Sequence, residues 1–298
     1  MYPFGKGIAR HLPLALLMLP LLLYVVFGFG PSVATIFFSF TNATGLPGVE
    51  WKFVGWHNYE RFFFSSDQKE RIRSIVNTVY FSFAVVIIQN AIGLWMAVLL
   101  NRKLRGDAFY RATFFLPVVL GVTVSGLVWR MMTNPLGGPM KELFGWFGAK
   151  STFFSDYNSA FEWVIFVQIW MYMGYSMTIF LAGLQSIPKD LYEAGHIDGT
   201  SRWQSFRHIT FPMIAPAFTV NIMLSIIGAL QTFDIIYVLT NGGFNTRTLA
   251  FDVYRDAIAN NRVADFGLAS AGAMIQFVFV FAVTVAAMIY LRRREVEL

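Results

Sequence analysis

The chain has 298 residues, 56% hydrophobic and only 13% charged, where a soluble domain carries about 25% charged residues, so it reads as an integral membrane protein, all-α because its apolar runs are long rather than short and alternating. The formal charge of +6 has no soluble basic domain that could hold a nucleic acid; basic residues beside membrane spans hold cytoplasmic ends against anionic lipid. With no cysteine, disulfides and thiolate metal sites are excluded.

In chain order, Lys6 and Arg10 precede a charge-free run over 12–40. That run is far longer than the h-region of a signal peptide and is read as a retained first span. Gly28, Gly30 and Pro31 inside it predict a kink or partial break. Further runs long enough to cross the hydrocarbon core occur at 75–101, 112–129, 163–188, 213–233 and 266–291. The fifth is expected to continue past Asp234 to about Thr240. Six helices follow, because lipid admits only segments that satisfy their own backbone hydrogen bonds. Nothing divides the chain further, so 1–298 is read as a single transmembrane domain.

Six spans place both termini on one side. The segments 1–11, 101–111, 185–212 and 291–298 carry Lys and Arg more densely than 41–73, 134–159 and 241–267. This asymmetry makes the first set cytoplasmic, both termini included. Trp51, Trp56, Trp129, Trp146 and Trp163 fall near the expected interfaces, as an aromatic belt would.

The inner segment between the fourth and fifth spans, 185–212, is the most informative. Pro188 and Asp190 suit the first turn of a short helix. Gly199 suits the sharp turn that closes it. Ser201 and Gln204 have capping-box spacing and start a second helix, expected to reach about Phe211, after which Pro212 resets the chain. The result is a helix–turn–helix on the cytoplasmic face, a shape suited to pressing on a partner.

Polar residues inside spans are costly and commonly face a bundle interior or a water-filled path. Asn221, Ser225, Gly228 and Thr232 share one face of the fifth span, with Gln231 and Asp234 beside it. Gln168, Tyr172 and Tyr175 keep helical spacing in the fourth; Asn90 lies in the second and Gln276 in the sixth. Hydrogen-bonding groups interleaved with aromatic rings suit a polyhydroxylated solute. The competing expectation is interhelical packing, which uses the same residue types. Asp234, the one acid well inside an apolar run, is read first as a structural hydrogen-bonding group. No Gly-x-x-x-x-Gly-Lys-Ser/Thr phosphate loop occurs, and all four histidines lie outside the spans, so no nucleotide or intramembrane catalytic site is read.

Glu193-Ala194, Gly199 at the seventh position, Ile209 and Pro212 resemble the EAA loop of binding-protein-dependent ABC importer permeases. Two positions depart: Gly195 stands where the third Ala is usual, and Phe211 where Leu precedes the proline. Ile197-Asp198-Gly199, Ser39-Phe40-Thr41, the run Val54 to Tyr59, Phe114-Phe115-Leu116-Pro117, Gln185 to Pro188, and Phe233-Asp234 through Gly242-Gly243 resemble the carbohydrate type, related to the larger maltose permease subunit and the glycerol-3-phosphate permease. Phe244 takes the place of the usual proline there.

The resemblance implies a coupling loop carried by Glu193, Ala194, Gly195, Asp198, Gly199, Ile209 and Pro212, docking on an ATPase. It implies a second permease subunit as heterodimeric partner, ABC ATPase subunits that hold ATP and magnesium, an extracytoplasmic solute-binding protein, and a bacterial inner membrane. No cofactor and no metal is expected in this chain. The alternative is a subunit of an ion-gradient-driven transporter or channel, which would need buried acid or histidine relays.

Overall fold

The computed structural model describes residues 16–46, 48–102, 105–148, 152–259 and 264–293. Lys6, Arg10, Lys103 and Arg294, which carry part of the charge asymmetry, lie outside these. The regular structure of the described residues is helical, apart from an isolated bridge between Thr41 and Phe53. In chain order the helices are α1 (Leu16–Phe38), α2 (His57–Phe64), α3 (Gln68–Leu100), α4 (Asp107–Met132), α5 (Pro139–Trp146), α6 (Ala160–Gln185), α7 (Lys189–Ile197), α8 (Arg202–Met213), α9 (Ala215–Leu230), α10 (Asp234–Thr240), α11 (Leu249–Tyr254) and α12 (Phe266–Arg292). Five of these, α1, α3, α4, α6 and α12, are long and apolar enough to cross a membrane; α8 and α9 pass the same test as a pair bent by 67°. The chain divides into two compact units, one of Met1–Gln68 with Val253–Ile275, the other of Lys69–Asp252 with Gln276–Leu298.

In the first unit, the break expected at Gly28–Pro31 is a π turn, Val25–Phe29, inside an uninterrupted helix. Pro31 has no N–H, and a proline ring crowds the carbonyl one turn back, so the turn widens there. The hydroxyl of Ser32 donates to the Gly28 carbonyl at 3.0 Å and satisfies it. Beyond α1, Asn58 Nδ2 donates to the carbonyls of Ser39 and Thr41 at 2.9 and 2.7 Å, and Tyr59 OH donates to Ser39 Oγ at 2.8 Å. Phe40 packs edge-on against Trp56. The two short signatures around residues 40 and 56 are thus halves of one clasp. Arg61 and Asp265 close it with a 2.9 Å ion pair.

In the second unit α6 is the most enclosed of the long helices. At Gly174 any side chain would overlap the Phe114 carbonyl oxygen, so α4 and α6 touch backbone to backbone. Such close approach is how helices gain packing energy where lipid is as apolar as the side chains. For the same reason the exposed leucines, valines and phenylalanines of α1 and α12 carry no penalty in a bilayer. Trp129 is buried edge-on against Phe166 and Trp170 rather than lying free at an interface.

Two expected boundaries move. The second span begins at Gln68, not 75, because Glu70 and Arg73 extend the helix into polar surroundings, pairing with Arg247 and with Asn245 Oδ1. The third begins at Asp107, where an Asp107–Arg111 pair at 2.7 Å joins successive turns. It is kinked at Gly121 (φ 73°, ψ 166°), four residues after Pro117.

The fifth span is not one helix. The chain bends at Ile214, between Pro212 and Pro216, and it breaks again at Gln231–Phe233. Asp234 therefore opens α10 instead of lying mid-helix. The second break is affordable in lipid only if its freed carbonyls find donors. Thr248 Oγ1 donates to Thr232 O at 2.8 Å, and Gln276 Nε2 reaches Leu230 O at 3.4 Å.

Candidate functional site: a helical elbow and a polar cavity

Pro188 precedes α7 with an extended backbone (φ −58°, ψ 134°), and Asp190 lies in the first turn. At the other end Gly199 takes φ +74°, and Thr200 N–H returns to the Gly195 carbonyl at 2.9 Å, the six-to-one bond of a glycine-terminated helix. Ser201 and Gln204 form the expected capping box: Gln204 N donates to Ser201 Oγ at 3.3 Å, and Ser201 N to Gln204 Oε1 at 2.8 Å. The second helix runs past Phe211 to Met213, because a π turn over Phe206–Thr210 accommodates Pro212 without ending it.

The two arms lock to each other. Tyr192 OH and Thr210 Oγ1 are 3.0 Å apart. A Cβ on Gly195 would lie 2.8 Å from Ile209 Cδ1 and 3.1 Å from Thr200 Oγ1. The missing third alanine of the signature therefore has a packing reason: Ile209 occupies its place. The elbow rests on a buried apolar cluster that includes Met96, Leu100, Met177, Phe180, Leu184, Ile187 and Ile214. Glu193, Ala194, Asp198 and Gly199 are exposed on its outer side, and Pro212 is half-buried at the bend. Glu193 makes no hydrogen bond or ion pair among the described residues. Ile197 is 85% exposed and Trp203 67%. Large apolar groups so exposed among polar neighbours are the material of interface hot spots. The sequence held no signal for Trp203 beyond its being apolar in a polar turn.

A cavity of about 420 Å³ lies between α3, α6, α9 and α10. It gathers Gln168, Tyr172 and Tyr175 from α6, Ser225 from α9, Gln231 and Thr232 from the break, and Asp234 from α10, together with Gln89, Gly228 and Phe233. Gln168 is 7% exposed, and its Oε1 has no hydrogen-bond partner among the described residues. Asp234 Oδ1 accepts the N–H of its own neighbour Ile235 at 2.9 Å, a purely local bond, and the residue lines the cavity.

Asn90, Asn221 and Gln276 do not line this cavity. Asn221 is fully buried, and its Nδ2 donates to the Ser176 carbonyl at 3.4 Å. Asn90 Nδ2 donates to Ser225 Oγ at 3.0 Å, and Gln89 Nε2 to Ser176 Oγ at 2.8 Å. These residues stitch α3, α6 and α9 together, as interhelical polar bonds do. Gln89, adjacent to Asn90, was passed over in the sequence although it both stitches and lines. Among the described residues no three His, Asp or Glu side chains converge as a metal site requires.

The family model described as "Binding-protein-dependent transport system inner membrane component" matches residues 89–295. The chain is 32% identical over 299 residues to a probable starch degradation products transport system permease protein, AmyD, of Thermoanaerobacterium thermosulfurigenes, covering 99% of this chain and 98% of that one. It is 35% identical over 278 residues to the trehalose/maltose transport system permease protein MalF of Thermococcus litoralis, covering 91% and 90%. In fold it is similar to a chain of a bacterial ABC transporter involved in the import of the acidic polysaccharide alginate, with a TM-score of 0.81, 22% identity, and 97% and 98% of the two chains covered.

Proposed function

This chain belongs to the family of binding-protein-dependent transport system inner membrane components, and from that membership we propose that it is the permease subunit of an ATP-driven importer for a sugar or related polyhydroxylated solute. The observation that carries the reading is the elbow, α7 and α8 fastened into one piece through Tyr192–Thr210 and Gly195–Ile209. It presents Glu193, Ile197 and Trp203 to the outside, the apolar and acidic groups with which a docking surface holds a partner.

In this reading the chain crosses the inner membrane six times, with α8–α9 serving as a bent fifth span and both termini in the cytoplasm. Residues 1–298 act as a single permease domain beside a second permease subunit. The loop 185–212 docks on one of two ATPase subunits, which hold ATP and magnesium; this chain has no ATPase site of its own. Closure of the ATPases moves the elbow. Because the elbow continues into α9 and α10, that motion reaches the cavity, which opens alternately to the cytoplasm and to an extracytoplasmic binding protein. Gln168, Tyr172, Tyr175, Ser225, Gln231, Thr232 and Asp234 line the solute's path, supported by their convergence on one cavity; Asn90, Asn221 and Gln276 hold its walls.

Reconstitution with the partner permease, ATPases and binding protein tests this, with maltose, maltotriose and trehalose as labelled probes. Uptake is expected to require ATP and to survive ionophores. Uptake without ATP, or collapse on dissipating ion gradients, would instead mark a secondary transporter.

A further inference from the structure

A second cavity, of about 490 Å³, lies between the inner end of α3 and the two arms of the elbow. It is lined by Arg102 just past α3, His196 from α7, and Arg202 and Ser205 from α8, together with apolar Val98, Leu184 and Phe206. Among the described residues no Asp or Glu lines it. The side chains of Arg102, His196 and Arg202 make no hydrogen bond or ion pair among the described residues, and neither do those of Ser205 and Asn101, which also line it. The elbow does not need them: Tyr192 and Thr210 join its arms, and Thr200 Oγ1 donates to the Gly195 carbonyl at 2.8 Å. Arg202 moreover stands in the first turn of α8, which holds no acid and where the helix dipole disfavours a cation. Two guanidinium groups and an imidazole are thus gathered against local preference, and a local rule broken without structural gain points to a functional site.

We propose that this cavity binds a phosphate group, carried by an anionic phospholipid headgroup or by a soluble phosphate, between Arg102 at the end of α3 and Arg202 and His196 of the elbow. The planar fork of a guanidinium matches two phosphate oxygens and makes charge-assisted bonds to them. Ser205 and Asn101 supply further donors, and Val98, Leu184 and Phe206 suit the carbon part of an ester. The volume lies within the range of small-molecule sites. In the orientation proposed above the cavity lies at the cytoplasmic face of the membrane, where basic pockets among spanning helices take lipid headgroups. An occupant would join α3 to both arms of the elbow.

The absence of cysteine from this chain allows a local readout. Ser205→Cys places a thiol in the cavity, and Ser186→Cys places one at the end of α6, exposed and outside the lining. Each assembled complex, delipidated in non-ionic detergent, is reacted with N-ethylmaleimide, and the mass shift of this chain gives the rate. Phosphatidylglycerol, phosphatidylcholine, glycerol phosphate and inorganic phosphate are added in turn, with potassium chloride matching ionic strength. Phosphatidylglycerol or a soluble phosphate is expected to slow Ser205→Cys relative to Ser186→Cys by about fivefold or more, as ligand in several-fold excess over its dissociation constant should, and by less than about twofold once Arg102→Gln and Arg202→Gln are added. Slowing by the phospholipid alone assigns the headgroup as the source; slowing by glycerol phosphate or inorganic phosphate assigns a soluble one. Arg102→Gln and Arg202→Gln, each alone, are expected to lose most of the protection and serve should the double change fail to assemble.

No slowing by any phosphate source, equal slowing by phosphatidylcholine and phosphatidylglycerol, or slowing that survives loss of both arginines overturns the site while leaving the importer reading intact. A Ser205→Cys thiol inert before any phosphate is added overturns it as well, since protein then fills the cavity.

Discussion

A Cβ on Gly195 would sit 2.8 Å from Ile209 Cδ1, so the position that departs from the family's alanine and the position that keeps its isoleucine occupy one another's space. The pair is a steric fit between the arms of the elbow. Gly195→Ala gains about 1 kcal/mol of helix propensity but forces the Ile209 methyl aside. Ile209→Val removes that methyl and leaves a gap worth about 0.5–1.5 kcal/mol. The double variant Gly195→Ala/Ile209→Val is expected to melt above the level that adding the two single changes gives, by about 0.5 kcal/mol or more. Thermal unfolding of the purified complex and its three variants measures this; strict additivity would mean the two residues do not touch.

At Gly174 the constraint is backbone against backbone. Gly174→Ala would drive a methyl into the Phe114 carbonyl and is expected to cost about 1–3 kcal/mol, the usual range for overpacking. Gly228→Ala meets nothing within 4 Å and is expected to be neutral or slightly stabilising. Comparing the melting temperatures of the two complexes separates close packing from a general intolerance of lost glycine.

The polar residues of α9 divide by position. Ser225→Leu projects bulk into the cavity, removes the hydroxyl that Asn90 bonds at 3.0 Å, and is expected to lower uptake several-fold with the complex still assembled. Asn221→Leu overfills a fully buried site and removes the bond to Ser176, with a combined cost of about 2–4 kcal/mol. It is expected to lower the yield of assembled complex. Size-exclusion yield beside vesicle uptake reads both, and the reverse pattern would exchange their roles.

How far the sequence carried follows from what each signal depends on. Long charge-free runs report lipid contact, so α1, α3, α4, α6 and α12 were legible to within a few residues, save where Gln68–Ser74 and Asp107–Arg111 prolong a helix into polar surroundings. Local capping chemistry fixed the elbow, since Pro188, Gly199 and Ser201–Gln204 act through neighbours in the chain. The break at Gln231–Phe233 was not legible: it is stabilised by Thr248 and Gln276, distant in sequence. A helical-face pattern also could not separate Asn221 from Ser225, because which side of a stripe faces a cavity is decided by α3 and α6. Gly195 reads in the sequence only as a departure from the usual alanine, and its three-dimensional neighbour Ile209 explains it.

If the elbow transmits ATPase motion to the cavity, solute-stimulated ATP hydrolysis by the full reconstituted complex depends on its geometry. Gly199 holds φ +74°, where a β-branched residue is strained by about 1–3 kcal/mol. Glu193 is exposed and free to accept a charge-assisted bond from a basic group of the ATPase. In Gly199→Val and Glu193→Lys, stimulation by binding protein and solute is expected to fall at least about tenfold while the chain still inserts in the membrane; Glu193→Lys is expected also to weaken co-purification of the ATPase. Full stimulation and full co-purification in both variants would contradict the account.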